Sequence, residues 1–498
     1  MSALTAFARA QAVSDGVAQP VSTVRHVHIA DRPLVLVALT LAGEANAPLA
    51  VMAGDDPESA ELLVVSQPRN RDQRFAFAAR LASIVVGYID SYRSLTETVR
   101  SGRDGERQRL AAAPQILVPN PATAAFVRLL GRSTRLRRPD GEHAVDPAVP
   151  VLGRWLTFLA ERNEVPGSCL LLAMTQALAL HWASGQSAVE DLNLAALMGW
   201  IDPPAGVTGL EAALAAEDPL AWPPAGPATD PVFDNEVLAR LITECSRPGV
   251  SAARQQIAVL NMQNALRGQL VPTWNLMWRS VTLLRSLPAG AHVAARWDSD
   301  RDAFTSYCEH LRDGGPPQPR RDSAVAAASR LNSLERAQAS YAAQRAFDDP
   351  LVLAQYRLTG EAFGGLVTAA DPDRLDTSSS RRKLRPLITL STQDPLRIEA
   401  GDTVISPARP SQSAVVTSVT SDAGGALVVL ELAGGMGRAL KAAPGSVPAI
   451  GERLCYTTLS DRFQPRGSFP AREDTPWTHG GPPPGYVATL GDVTEDWS

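Results

Sequence analysis

Pro386 to Leu459 is the one long stretch of this chain with an uninterrupted strand signature, and it restricts what the C-terminal region can become. It runs P-L-I-T-L-S-T, L-R-I-E-A-G-D-T-V-I-S, S-A-V-V-T-S-V-T, A-L-V-V-L-E-L and R-L-C-Y-T-T-L. Apolar and β-branched residues alternate with polar ones. The interruptions carry turn residues: Ala400-Gly401-Asp402, Asp422-Ala423-Gly424-Gly425, Pro444-Gly445 and Ile450-Gly451-Glu452. Five short strands in close succession predict a small closed or nearly closed β-barrel over 386–462, because closure removes exposed sheet edges.

At 498 residues the chain exceeds the size at which a single core keeps growing, so several domains are expected. Residues 1–20 read as a disordered polar tail. From Val24 four apolar runs follow, broken by Asn46 and by Gly54-Asp55-Asp56-Pro57, and then a helix over 70–93. A short strand at 115–118 and a helix from Pro121 complete an α+β domain over 21–140, predicted as an antiparallel sheet with helices. The stretch 150–370 reads as an all-α middle. Its segments include 168–184, 251–268, 273–286, a long helix over 322–347, and 350–369 opened by the cap Asp349-Pro350. A basic linker (371–385) precedes the barrel, and a proline-rich acidic tail (463–498) follows it. The fold class is therefore α+β multidomain.

The totals exclude several functions. A net charge of −5 gives no global field for nucleic acid, so any such binding is local. Lys383 and Lys441 are the only lysines among 47 basic residues, and neither stands in G-x-x-x-x-G-K-[ST]; a P-loop NTPase is not expected. The lysine of a protein-kinase strand is equally missing. Cys169, Cys245, Cys308 and Cys455 lie far apart with no C-x-x-C, which predicts reduced thiols, a cytoplasmic location and no cysteine zinc site. The N-terminus lacks the apolar core of a secretory signal. Cys169 to Ala183 is shorter than the roughly 20 residues of a membrane span, so no membrane is expected.

Candidate sites are few. His26 and His28 alternate on an expected strand, too few ligands for a metal alone. No G-x-S-x-G announces a serine nucleophile. Gly434-Gly435-Met436-Gly437-Arg438 reads as a connecting loop from which Arg438 could meet a phosphate. Two arginine clusters, Arg132 to Arg138 and Arg381 to Arg385, each suit phosphate contact or simple solvation of a linker. Trp274 and Trp278 belong to one helical face and are read as core.

Three strands, a helix, and Asp55 and Asp56 near a strand end resemble the core of PD-(D/E)XK nucleases. That resemblance implies Mg²⁺ held by an aspartate and a glutamate, with a lysine two residues on. Here Val64-Val65-Ser66-Gln67-Pro68 supplies neither acid nor lysine, so a degenerate nuclease unit is the most it implies. A long helix, the basic linker and a barrel opening with Leu396, Gly401, Asp402 and Val404 resemble the stalk and accessory β-barrel of Upf1-like superfamily 1 helicases over 322–460. The motor and a second stalk helix after Leu459 are missing. In that family the barrel sits on the motor and contacts the nucleic-acid strand. The leading expectation is a non-catalytic accessory or adaptor without cofactor or metal. It engages nucleic acid, or a helicase or nuclease partner protein, through Arg381, Arg382, Lys383, Arg385 and Arg438. A protein–protein scaffold is the alternative.

Overall fold

The computed structural model describes residues 2–100, 105–219, 222–249, 251–377, 382–422, 424–437, 439–462 and 467–468. The chain divides into two compact units, one of Ala8–Pro20 and Arg25–Leu334 with Arg466–Ser498, the other of Met1–Phe7, Val21–Val24 and Glu335–Pro465. Residues 3–15, expected to be disordered, form helix α1 (Ala3–Asp15), and Ala12 is buried.

The larger unit is built on one sheet. After a two-residue strand β1 (Gln19–Pro20), the run expected as a strand from Val24 makes only an isolated bridge, Arg25 to Ala289. Strands β2 (Leu34–Thr40), β3 (Pro48–Gly54) and β4 (Glu61–Val64) pair antiparallel as anticipated. Helix α2 (Arg71–Asp90) follows, its first turn capped by the Asn70 side chain accepting from the Gln73 amide. A hairpin of β5 (Thr96–Arg100) and β6 (Glu106–Leu110) stands apart from the main sheet.

Strand β7 (Ile116–Val118) then joins β2 in parallel, so the sheet is mixed, not purely antiparallel. Helices α3 (Pro121–Thr134) and α4 (Ala148–Asn163) lead to β8 (Leu171–Ala173), which lies parallel to β7. The strand order is β4-β3-β2-β7-β8. Strand β8 comes from 168–184, which had been read as helix. A short apolar run has no periodicity to separate a strand buried on both faces from a helix. The segments 21–140 and 150–334 thus share one sheet.

The rest of the unit is helical apart from β9: α5 (Met174–Ala179), β9 (Trp182–Ala183) paired with β1, α6 (Leu194–Ile201) and α7 (Gly209–Glu217). Next come α8 (Pro231–Phe233), running through a π turn into α9 (Ala239–Cys245), then α10 (Ala252–Ser286), α11 (Val293–Arg312) and the start of α12 (Ala324–Asp348), which belongs to the smaller unit from Glu335. Helix α10 replaces the two helices expected around Pro272. A seam of Met262, Leu266, Leu270, Trp274, Met277, Val281 and Leu284 is buried along it, and such burial outweighs the one hydrogen bond that proline removes. Trp274 is core, its indole donating to the Pro57 carbonyl.

Both faces of the sheet are covered. Leu34, Leu36 and Ala38 of β2 pack with Leu81, Val85, Leu130, Trp155 and Phe304 of α2, α3, α4 and α11. Val35, Val37 and Leu39 pack with Leu178, Leu197, Leu270 and Met277 of α5, α6 and α10. This accounts for L-V-L-V-A-L-T, which has no polar alternation because neither side meets water. Among the described residues no helix is long and apolar enough to cross a membrane.

The smaller unit carries the barrel. Asp349 caps α13 (Pro350–Thr359) as expected, and it also accepts from the Ser22 hydroxyl at 2.6 Å and the Thr23 amide at 2.7 Å. Gly360 ends the helix at φ +83°, where a Cβ would meet the Arg397 amide nitrogen at 2.9 Å. The chain can therefore turn into β10 (Ala362–Asp371), a strand where helix had been expected to run to 369. A two-residue ladder of β11 (Leu375–Asp376) and β12 (Lys383–Leu384) follows. Then come β13 (Leu387–Thr392), β14 (Thr403–Ile405), β15 (Ser413–Asp422), β16 (Gly425–Ala433) and β17 (Arg453–Thr457). With β10 as its sixth strand the barrel closes in the order β10-β13-β16-β15-β14-β17. Phe363, Val367, Leu390, Val416, Leu430 and Tyr456 fill it.

One contact in the larger unit is tight enough to test. A Cβ on Gly153 of α4 would lie 2.2 Å from the Arg135 amide nitrogen, and one on Gly131 of α3 would lie 2.8 Å from that of Thr157. Gly153→Val should lower stability by about 1–3 kcal/mol in chemical denaturation. Gly268→Ala, on an open face of α10, should raise it by about 1 kcal/mol. Equal effects of the two substitutions would refute the close crossing.

Candidate anion-binding cleft

The crossing of α3 on α4 sets up a cavity lined by five arginines. Arg128 and Arg132 on α3 and its C-cap Arg135 fall at i, i+4 and i+7, one helical face. Thr157, Ala160 and Glu161 present a face of α4 to them, and Pro319, Arg320, Asp322 and Arg330 close the cavity, whose volume is about 150 Å³.

Arg135 is buried and spends its donors on carbonyls: Nε on Gln318 at 2.9 Å, Nη1 on Arg132 at 2.9 Å and Nη2 on Pro319 at 3.1 Å. It fastens the 316–320 segment to the end of α3 and so positions Arg320. The Gln318 amide adds bonds to the Arg154 carbonyl at 3.2 Å and the Tyr307 hydroxyl at 3.0 Å. Glu164, the C-cap of α4, ties Arg128 (2.5 Å) to Arg330, which also approaches Asp322 at 3.6 Å. The Arg132 and Arg320 guanidiniums line the cavity without a hydrogen-bond or ion-pair partner among the described residues. Burial pushes the Glu161 carboxyl upward, against the pull of Arg330 and Arg135. Forked guanidiniums around a small hollow suit the oxygens of a phosphate or carboxylate.

The Arg132 to Arg138 cluster is thus divided. Arg132 and Arg135 enter the cleft, Arg137 lies over the Phe75 ring at 5.3 Å, and Arg138 pairs with Asp140 at 3.2 Å. Arg128 was one helical turn away in the sequence and could have been added to the set. Arg320 and Arg330 carried no such sign, being almost two hundred residues distant.

The second cluster is only partly described, since Arg381, Arg438 and the 463–498 tail apart from residues 467–468 lie outside the described residues. Arg382 and Lys383 are exposed at β12. Arg385 is half-buried and, with Arg374, faces Glu431 at 3.7 and 2.7 Å. Gly434 and Gly435 hold positive φ in the loop after β16, as a connecting loop requires. Residues 361–462 hold 11 basic and 11 acidic side chains, so the barrel presents no net field. The described barrel aromatics Phe363 and Tyr456 are buried in its core, which leaves them unavailable for base stacking.

Asp55 and Asp56 are not drawn into a metal site. Asp55 pairs with Arg32 at 2.8 Å and Asp56 accepts from the Glu58 amide at 2.8 Å. No cluster of three or more ligating side chains occurs among the described residues. All four cysteines are free thiols, and desolvation raises each: Cys169 to about 12, Cys308 and Cys455 to about 11. Thiols so protonated are poor nucleophiles. His26 and His28 have separate partners, the one stacked on His181 at 5.7 Å and the other on Trp297 at 4.0 Å.

Burial, with the Arg25 charge adding to it, lowers His28 from 6.5 to about 4. Between those values the unfolded chain binds the proton and the folded chain does not. His28 therefore contributes stability fully above pH 6.5 that is lost as the pH falls toward 4. His28→Phe, which keeps a ring against Trp297, should flatten the rise of denaturation midpoint between pH 4 and 6.5; an unchanged profile would contradict the assignment.

No protein-family model, no curated protein and no solved structure matches this chain.

Proposed function

We infer that this protein is an accessory binding protein that engages nucleic acid through its phosphates. The observation that carries the reading is the convergence of Arg128, Arg132, Arg135, Arg320 and Arg330 on one cleft, two of them uncommitted. Phosphate neutralisation by arginine also needs no global positive charge, which fits a chain whose formal net charge is −5.

Arg382 and Lys383 supply a second contact in this reading. Both are exposed on the short ladder ahead of β13. Arg385 contributes less, being turned toward Glu431. The barrel itself serves as a rigid holder, its interior being closed by side chains.

Fluorescence anisotropy with a short single-stranded oligonucleotide tests this. Affinity should fall with salt at a log–log slope of about −2, the value for about three neutralised phosphates on a single strand. Arg132→Ala with Arg320→Ala should weaken binding about tenfold and make the slope shallower, and Arg382→Ala with Lys383→Ala should cost less. Binding that ignores salt and survives both double substitutions would end the proposal.

A further inference from the structure

The cleft has features that distinguish one phosphate ester from another. Its positive lining is interrupted: Glu161 and Asp322 stand among the five arginines, and Glu164 is bonded to Arg128 and Arg330. Five guanidiniums against three carboxylates leave a formal balance of +2. A strand crossing such a surface would bring successive phosphates against carboxylates as well as arginines. One concentrated dianion at the centre would not.

A diester phosphate in a nucleic-acid backbone carries one charge and two free oxygens. A terminal monoester carries about −1.5 to −2 near neutral pH and three free oxygens. The second fits the cleft better on both counts. Its charge matches the formal balance of the lining taken together with Glu164 behind it, and its third oxygen gives both uncommitted forks, Arg132 and Arg320, an acceptor while the Arg128 and Arg330 side chains stay partly engaged by Glu164. The fixed framework matters here. Arg135 pins the segment that carries Arg320, and the glycine crossing pins the backbone of Arg132, so the backbone beneath both donors is fixed before a ligand arrives.

We propose that the α3–α4 cleft takes the terminal phosphate monoester of a nucleic-acid strand, held by Arg132 and Arg320. This rests on the nucleic-acid reading above and adds an end preference to it. No bond is made or broken; the site recognises an end.

The test uses the full chain and three single-stranded oligonucleotides of one sequence, carrying a 5′-phosphate, a 3′-phosphate or hydroxyls at both ends. At least one phosphorylated form should bind about tenfold more tightly than the hydroxyl form, a difference of about 1.4 kcal/mol. The preference should vanish in Arg132→Ala/Arg320→Ala, and inorganic phosphate should compete with the phosphorylated form. Circular dichroism and the denaturation midpoint check that the variant is folded; Arg132→Lys/Arg320→Lys, which keeps charge but loses the fork, should retain affinity for the hydroxyl form and lose much of the preference. Equal binding of all three by the wild type overturns the end preference, while leaving the nucleic-acid reading in place if that binding is still lost in the alanine variant. Protection of the folded chain by inorganic phosphate without binding of any oligonucleotide overturns a nucleic-acid end as the ligand. Absence of both effects removes the inference and the reading beneath it.

Discussion

Where α3 passes over α4 there is no space for a side chain between the two backbones, and the larger unit's candidate site follows from that. Gly131 sits against the Thr157 amide and Gly153 against the Arg135 amide. Two helices so close hold the arginine face of α3 in a fixed relation to Glu161 and Glu164 on α4. The same approach buries Arg135, whose guanidinium then finds the carbonyls of Gln318 and Pro319 and draws in a segment far along the chain. A helix-packing constraint thus becomes an electrostatic one: a cleft lined by five arginines, three of them fixed by their own bonds to carbonyls or to Glu164.

The sheet beneath has a related logic. Strand β2 is buried at every position because helices cover both its sides, and β7 and β8 extend the sheet in parallel. Parallel neighbours need crossover helices, and α3 and α4 together make one such crossover between β7 and β8. The cleft is therefore carried on a connection that the sheet itself demands. The barrel in the other unit closes differently, by bringing β10 against both β13 and β17 so that no edge is left.

How far the sequence could be read depended on whether a signal was local. Four of the five alternating runs after Pro386 appear as strands where the pattern placed them, while of the second only Thr403–Ile405 does, and Asn70, Asn120 and Asp349 cap the helices they precede. Local patterns failed where burial on both sides erased periodicity, as at Leu171–Ala173, and where a glycine stop was overlooked, as at Gly360 ahead of β10. The two helices expected over 251–268 and 273–286 are one, because a long buried seam runs through Pro272. Arg132 and Arg135 were visible as a cluster, but their partners Arg320 and Arg330 are joined to them only by tertiary packing. Nothing in spacing or composition could have supplied those two.

The account turns on where a phosphate-bearing strand touches the chain, and hydrogen–deuterium exchange reads that directly. On adding a 5′- or 3′-phosphorylated oligonucleotide, slowed exchange should appear in the last turn of α3 and across residues 316–330, with a weaker effect at 382–385. Protection confined to the barrel strands, or none at all under conditions where the oligonucleotide binds, would contradict the cleft as the site.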